Sequence, residues 1–465
     1  MAVKFGTDGW RAVIADEYTF DNLKKISKST AIAFQNHPKL KNGIIIGYDT
    51  RFLSKEFAEC SAVVFANHGI KVFLTDSFVT TPTVSLVTRD KSMPYGVMIT
   101  SSHNPAKYNG FKLKDEFGGS MGPDQLKIVE DELHKSDEFD YGTNNFEELL
   151  SNGQIEYFNG KEYFINDIKK DINIPLIKGS GIKIIYDAMY GSGQNMIDAL
   201  VNIKSIHNDF NPSFGGTNPE PVEKNLSDIT AVMKRDDFDI GIVTDGDADR
   251  IAILDEKGNF VDAQMTFALM LLYLLEEKRM TGGVVRGFSS SELIKRICDD
   301  KKLKLHTVRI GFKYISELMI NDDILIGAEE SGGIGIKGHL PERDGIYNGL
   351  LYAEMLSNKK EKLSSIINSI EKKYGKFFYK RLDKHLDDNS LKEELISKAR
   401  EVKELAGFKI TGSDDLDGCK LYFSNGWLLV RPSGTEPLLR IYTETYGENK
   451  TELILKDILQ KLNLK

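Results

Sequence analysis

Short apolar, β-branched runs alternate with stretches of helical periodicity along most of this chain. The run Gly43-Ile-Ile-Ile-Gly-Tyr-Asp-Thr-Arg51 opens in the manner of a strand buried in a parallel sheet. Val72-Phe-Leu, Gly96-Val-Met-Ile99 and the start of Gly181-Ile-Lys-Ile-Ile-Tyr-Asp-Ala-Met-Tyr-Gly-Ser-Gly193 have the same character. Between them, helical spacing runs through Ile26, Ala31 and Phe34, then through Phe57 to His68 and Thr81 to Thr88. The segment from Gly181 predicts a strand, a glycine-rich turn and a further helix. Alternation of this kind predicts βαβ units. From about Tyr374 the order changes: a helix signal from Leu391 to Leu405 is followed by strand patterns, including Trp427-Leu-Leu-Val-Arg-Pro and Arg440-Ile-Tyr-Thr-Glu444. That tail predicts a separate, smaller α+β domain.

At 465 residues the chain is too long for one core, and three to four domains follow from its size. With 41% hydrophobic and 28% charged residues it has the composition of a soluble globular enzyme. The formal net charge of -8 gives no general attraction to nucleic acid. An anionic ligand therefore needs local positive charge. Lys-rich segments such as 358–363 read as solvated faces. Cys60, Cys298 and Cys419 lie far apart, without metal-ligand spacing or a disulfide framework, which suits a reducing compartment. The first residues lack an apolar signal core, and the longest apolar run, around Phe267 to Leu275, reads as a buried helix too short to span a bilayer. A cytoplasmic protein without membrane or nucleic-acid partners is the expectation.

Chemistry-bearing loops punctuate this pattern. Gly96–Ile99 runs into Thr100-Ser101-Ser102-His103-Asn104-Pro105, where Asn-Pro stops the strand. A serine at the carboxyl end of a parallel strand sits where open α/β sheets bind ligands, although Ser and Asn also satisfy local backbone groups in ordinary loops. Lys112, in Tyr108-Asn-Gly-Phe-Lys-Leu113, is placed near the same loop. Asp245-Gly-Asp-Ala-Asp-Arg250 sets three carboxylates at alternate positions on one tight turn, able to face one hard cation, with Gly246 relieving the backbone. An EF-hand loop is excluded because Arg250 stands where its sixth-position glycine is required and the flanks are strand-like. The carboxylates predict a Mg²⁺ site with open positions for a phosphate oxygen. Arg431-Pro-Ser-Gly-Thr-Glu-Pro437 offers a guanidinium, hydroxyls and exposed amides, a set suited to phosphate or to an ordinary capped hairpin. Glu329-Glu330-Ser331-Gly332-Gly333 can grip vicinal sugar hydroxyls or form a common turn. Phe5-Gly-Thr-Asp-Gly-Trp-Arg11 is an anion-facing loop or a polar turn.

Taken together and in this order, the serine, metal, sugar and phosphate loops resemble those of the α-D-phosphohexomutase superfamily over the whole chain. The resemblance implies an α/β protein with four domains around a central cleft. Three are similar α/β domains with mixed sheets (1–156, 157–259 and 260–372), and the fourth is a smaller α+β domain (373–465). It implies a reversible exchange of phosphate between the 1- and 6-positions of a hexose through a phosphoserine, with hexose 1,6-bisphosphate (glucose 1,6-bisphosphate) as intermediate and activator. By match to the motifs, Ser102 carries the phosphoryl group, and Asp245, Asp247 and Asp249 hold Mg²⁺ with a phosphoserine oxygen. Glu329 and Ser331 hold sugar hydroxyls, while Arg431, Ser433, Gly434 and Thr435 bind the non-reacting phosphate. His103, Lys112 and Arg250 match catalytic positions, and Arg11, Lys313, Arg343 and Arg440 match positions that line the cleft and bind substrate. Lys112 or His103 is left as the carrier of the hydroxyl proton.

Glu-Glu-Ser-Gly-Gly333 and the following Gly335-Ile-Lys-Gly-His-Leu-Pro-Glu-Arg-Asp-Gly345 are most similar to prokaryotic phosphoglucomutase and phosphoglucomutase/phosphomannomutase chains. Many phosphomannomutases and glucosamine-phosphate mutases carry histidine where Gly333 stands. Phe5-Gly-Thr-Asp-Gly9 and the Arg431 loop are similar to the glucosamine branch, which keeps phosphoglucosamine mutase as the alternative. A metal-dependent phosphomonoesterase would need clustered histidines, and the eight present are not clustered with the carboxylates. A non-catalytic relative is disfavoured by the intact reactive positions. Sugar phosphates are the expected partners of a monomer or homodimer.

Overall fold

The computed structural model describes residues 3–6, 8–135, 141–386, 388, 390–433 and 438–464. Four sheets follow one another along the chain. The first contains β1 (Trp10–Val13), β2 (Ile44–Tyr48), β3 (Val72–Thr75), β4 (Gly96–Ile99), β5 (Tyr108–Lys114) and β6 (Ile155–Phe158), in the order β1-β5-β4-β2-β3-β6. The second holds β7 (Ile184–Asp187), β8 (Lys204–Ile206), β9 (Ile240–Thr244), β10 (Ile251–Leu254) and β11 (Phe260–Val261), ordered β11-β10-β9-β7-β8. The third is β13-β12-β14-β15, built from β12 (Gly283–Gly287), β13 (Leu305–Val308), β14 (Ile324–Ala328) and β15 (Ile334–Ile336).

These three sheets repeat one plan. Two parallel strands lie beside a third parallel strand, and that third strand turns back into an antiparallel hairpin partner. The series reads β3-β2-β4-β5, then β8-β7-β9-β10, then β13-β12-β14-β15. The mixed character follows from sequence: helical segments such as Ser54–Asn67 and Thr81–Asp90 are long enough for parallel crossovers, whereas a short polar loop permits only a hairpin. The loop closing each hairpin is one of the chemistry-bearing motifs: residues 100–107, Asp245–Arg250 and Glu329–Gly333.

The fourth sheet is antiparallel. It consists of β16 (Phe377–His385), β17 (Glu404–Leu405), β18 (Phe408–Asp414), β19 (Cys419–Phe423), β20 (Gly426–Pro432) and β21 (Leu438–Tyr446), in the order β16-β21-β20-β19-β18-β17. Helices Leu391–Arg400 and Thr451–Lys461 pack on it. The first of these is shorter than its sequence signal, because Glu404 and Leu405 pair with β18 instead. The helix expected after Gly193 does not form. Met189, Tyr190 and Asn195 adopt left-handed backbone angles there, and the segment becomes a series of turns.

One continuous apolar core runs from Phe164 to Tyr374 through the second and third sheets and takes in Leu86 from helix Thr81–Asp90 of the first unit. Helix Gly345–Lys359, buried along nearly its whole length, passes between them, and Ala263–Glu276, the buried helix anticipated around Phe267, joins the same core. The first and fourth sheets keep separate cores. The third and fourth units meet through Phe288, Ile310, Trp427, Leu429 and Tyr442. Among the described residues no helix is long and apolar enough to cross a membrane, and the three cysteines are free.

Candidate active site

The serine loop leaves β4 and is held from beneath by a buried arginine. Arg51, at the end of the run that forms β2, donates from Nη2 to the carbonyls of Ser102 (2.6 Å) and Asn104 (2.7 Å). Its Nη1 donates to those of Pro105 (2.9 Å) and Tyr108 (3.0 Å), and its Nε to Asp49 Oδ2 (3.1 Å). Asp49 also accepts from Thr100 Oγ1 and Ser54 Oγ. Ser102 takes a left-handed conformation (φ 51°) and donates its N–H to Thr100 Oγ1 at 2.9 Å. A non-glycine residue there is held against its preference by these surroundings. Its hydroxyl donates to Asp245 Oδ2 at 2.8 Å and lies 3.4 Å from His103 Nδ1.

The acidic turn between β9 and β10 faces this hydroxyl. Gly246 allows the approach, since a Cβ there would stand 2.4 Å from the Ser102 carbonyl oxygen. Asp245, Asp247 and Asp249 are fully buried, and an oxygen of each lies within 4.8 Å of the others. Asp245 Oδ1 accepts the Arg250 N–H at 3.0 Å. Asp247 Oδ2 accepts from Thr81 Oγ1 at 2.5 Å and from Lys112 Nζ at 2.8 Å. Lys112, on β5, also reaches Asp249 (3.2 Å) and Asp8 (2.8 Å). Asp247 Oδ1 and Asp249 Oδ1 are buried without any hydrogen-bond partner. Burial and the neighbouring carboxylates Asp247 and Asp249 push Asp245 well above the usual carboxylate range. Two orphaned oxygens and one carboxyl driven toward neutrality are what a hard divalent cation relieves, so the residues fit Mg²⁺.

Positive groups gather round the acidic turn. Arg343 donates through Nη2 to Asp8 (2.9 Å) and through Nε to Glu342 (3.1 Å), forms an ion pair with Asp249 (2.8 Å from Nη2), and places Nη1 3.6 Å from Glu329. Arg11 holds Asn104 Oδ1 at 2.8 Å and Asp8 at 3.3 Å. Arg250 Nε stands 3.9 Å from Asp249. Burial presses Lys112 downward, but Asp247, Asp8 and Asp249 outweigh it, and the ammonium is held charged. Burial, reinforced by Arg250, Arg11 and Lys112, holds His103 well below the usual imidazole range. Burial pushes Glu329 up to about 7, against the pull of Arg343. Ser331 lies half-buried on the same turn. A Cβ on Gly333 would stand 2.3 Å from Arg343 Cδ, so this position has no room for a side chain while Arg343 keeps its carboxylate partners.

The remaining anticipated residues form a second cluster. Arg431 Nε donates to Asp417 Oδ2 at 2.9 Å, and the same oxygen accepts the Ile310 N–H of the third unit at 2.9 Å. Arg440 pairs across the sheet with Arg431 and lies 4.0 Å from Asp383. The Ser433 carbonyl accepts from Lys392 Nζ at 2.7 Å. Gly434 and Thr435 lie outside the described residues. Lys313 opens helix Phe312–Asn321 and stands over the Tyr314 ring, apart from the ionic network.

Sequence reasoning overlooked Asp8, the Asp49–Arg51 pair, Thr81, Glu342 and Asp417. Three of these carried a local signal. Asp8 lies in the loop read for Arg11, Arg51 ends the run read as a strand, and Glu342 precedes Arg343 in a Pro-Glu-Arg-Asp turn.

The chain matches four models of phosphoglucomutase/phosphomannomutase in series. These are alpha/beta/alpha domain I over residues 2–140, domain II over 162–258, domain III over 262–374 and the C-terminal domain over 385–461. A phosphoglucomutase/phosphomannomutase of Thermococcus kodakarensis is 29% identical over 462 residues, covering 98% of this chain and 97% of that protein. A phosphoglucosamine/phosphogalactosamine mutase of Sulfurisphaera tokodaii is 26% identical, with 98% of each chain covered. A crystal structure of a protein from Thermus thermophilus superposes with a TM-score of 0.87 at 28% identity, covering 100% of this chain and 99% of that one.

Proposed function

The chain belongs to the α-D-phosphohexomutase superfamily, and on that premise we propose that it interconverts the 1- and 6-phosphates of glucose through a phosphorylated Ser102. The observation that carries the reading is the Ser102 hydroxyl at 2.8 Å from Asp245, on the rim of a carboxylate triad with two unpartnered oxygens. We assign the four units to residues 1–158, 159–261, 262–372 and 373–465; the boundaries expected after 156 and 259 each move by two residues, because β6 pairs within the first sheet and β11 within the second.

Phosphoryl transfer asks mainly for alignment and charge neutralisation. Asp245, Asp247 and Asp249, with an oxygen of phosphorylated Ser102, would hold Mg²⁺, which supplies positive charge at the transferring group. Lys112, Arg250 and Arg11 add fixed charge on the protein side. The sugar hydroxyl oxygen forms the new bond to phosphorus as the bond to Ser102 Oγ breaks. His103 Nδ1, 3.4 Å from Ser102 Oγ, is placed to take the sugar hydroxyl's proton and hand it to the serine oxygen released from phosphorus. Lys112 suits this step less well, because its ammonium is held charged by three carboxylates. The product of the first transfer is a hexose 1,6-bisphosphate, and the return transfer from its other end restores Ser102. The same bisphosphate, added in trace, loads the serine. Glu329 and Ser331 grip sugar hydroxyls, with Arg343 and Lys313 on the cleft wall. Arg431, Ser433, Gly434, Thr435 and Arg440 receive the idle phosphate.

Glucose is preferred because Gly333 leaves no side chain beside the sugar loop, where many mannose- and glucosamine-specific relatives carry histidine. Phosphoglucosamine mutase is the second reading, favoured by the similarity of the Phe5–Gly9 and Arg431 loops to that branch. Phosphorus NMR with Mg²⁺, a trace of glucose 1,6-bisphosphate and, in turn, the 1-phosphates of glucose, mannose and glucosamine tests both. Conversion of the glucose ester to its 6-phosphate fastest, without free phosphate, is expected. Faster conversion of the glucosamine ester would transfer the assignment to the second reading. Release of inorganic phosphate would replace the mutase by a hydrolase.

A further inference from the structure

The acidic turn is gripped from the first unit by a residue that no motif marks. Thr81 heads helix Thr81–Asp90 and is fully buried. Its N–H donates to the Asp247 carbonyl at 3.0 Å, and its Oγ1 donates to Asp247 Oδ2 at 2.5 Å. One residue thus holds both the main chain and the side chain of the central carboxylate of the three.

The local sequence explains why Thr81 is available for this. Thr80 caps the helix, its Oγ1 accepting the Thr83 N–H at 3.2 Å. Pro82 has no N–H to place. The Thr81 N–H is one of the donors that the first turn of a helix leaves without an internal acceptor, and here it is satisfied across the boundary between units. The branched Cβ of threonine restricts χ1, so the hydroxyl has few directions open to it.

The effect is to divide the two oxygens of Asp247. Oδ2 accepts from Thr81 and from Lys112 Nζ at 2.8 Å, whereas Oδ1 is buried without a hydrogen-bond partner. Lys112 alone does not fix that division. It is shared with Asp8 and Asp249, and an ammonium on a flexible stem follows whichever carboxylate attracts it. The Thr81 hydroxyl has no such freedom, because the N–H of the same residue is bonded to the same aspartate.

We propose that Thr81 is a positioning residue for the cation: by holding Asp247 Oδ2, it keeps Oδ1 turned toward the divalent ion that the three aspartates would bind. The role rests on reading the triad as a cation site. Hydrogen-bond partners of ligating groups typically change metal affinity by about 10- to 100-fold. Here the partner and the ligands belong to different units, so cation affinity depends on how the first unit seats on the second.

Mn²⁺, which carboxylate oxygens bind as they bind Mg²⁺, is the probe, and electron paramagnetic resonance of the free ion measures its affinity for the whole protein. The parent should bind one Mn²⁺ per chain, displaced by Mg²⁺. Thr81→Val keeps the branched shape and the N–H but removes the hydroxyl, and should weaken Mn²⁺ binding by about tenfold or more. Thr81→Ser keeps the hydroxyl and should bind Mn²⁺ nearly as the parent does. If the valine methyl crowds the carboxylate and prevents folding, Thr81→Ala removes the same hydroxyl with space to spare and should show the same loss. Parent-like affinity in a folded valine or alanine variant would overturn the proposal even if its melting temperature falls, since a merely structural contact predicts that pattern. Loss of affinity in Thr81→Ser equal to that in Thr81→Val would overturn it as well. No Mn²⁺ binding by the parent would overturn the cation assignment together with this role. A parent that binds Mn²⁺ and Thr81 variants that match it would remove the role alone and leave the mutase reading standing.

Discussion

Replacing Arg51 by lysine isolates what the guanidinium does for the serine loop. All five of its N–H donors have acceptors: one carboxylate oxygen and four carbonyls between Ser102 and Tyr108. Lysine keeps the charge but brings three donors from a single point, so at least two of the five acceptors go unmet. Buried hydrogen bonds to a charged group contribute about 1.5–3 kcal/mol each, which sets the expected loss of two at about 3–6 kcal/mol. Because Ser102 is held in a left-handed conformation, slack in the loop also moves the hydroxyl away from Asp245. A displacement of about 1 Å at a reacting atom costs about 100-fold in rate. Scanning calorimetry should show an early transition in the Arg51→Lys protein, and steady-state assays should show the loss in kcat with KM little changed. A variant with the parent's transition temperature and turnover would refute the view that Arg51 positions Ser102.

Two further outcomes follow from groups near the cleft. Glu329 is raised from 4.5 to about 7, chiefly by burial. A folded-state value above the unfolded one gives stability that is complete below about pH 4.5 and lost as the pH climbs through about 7. Glu329→Gln should therefore be more stable than the parent at pH 8, by up to about 3 kcal/mol, and nearly equal to it at pH 4.5. Its sugar phosphate turnover should fall; a margin over the parent no larger at pH 8 than at pH 4.5 would show that Arg343 already compensates the buried charge. Asp417→Asn weakens the shared acceptor of Arg431 and Ile310. It should raise KM for the hexose phosphate about tenfold while kcat stays within about threefold. An unchanged KM would mean that Arg431 needs no orienting partner.

What could be read from sequence was local. The serine loop, the acidic turn and the Glu-Glu-Ser turn each announce themselves within a few residues, because a strand, a turn and a reactive group must share a short span. The βαβ alternation was equally plain, since apolar runs and helical spacing are properties of contiguous segments. The partners were not legible in the same way. Asp8 meets Arg343 across 335 positions, and Arg51 meets Asn104 across 53. An isolated charged residue carries no mark of what it faces after folding. The segment after Gly193 misled for the converse reason: its helix-compatible residues are overridden by left-handed turns packed against the acidic loop, where the Ser192 N–H donates to the Gly246 carbonyl at 2.9 Å.

The recurrence of one hairpin turn in three successive sheets gives the protein a modular division of labour. In the function proposed above, nucleophile, cation ligands and sugar grip each occupy the corresponding turn of a different copy, so each can vary while the other two retain their supporting strands. The second and third copies share an unbroken core, which makes the spacing between cation and sugar grip a property of a single body. In that assignment the nucleophile sits on a copy with a core of its own, joined to that body by ion pairs, by hydrogen bonds such as that from the Thr81 N–H to the Asp247 carbonyl, and by Leu86, which enters the shared core. A change of preferred sugar is therefore a local edit to the third turn, whereas a change in the chemistry would have to redraw a boundary between bodies.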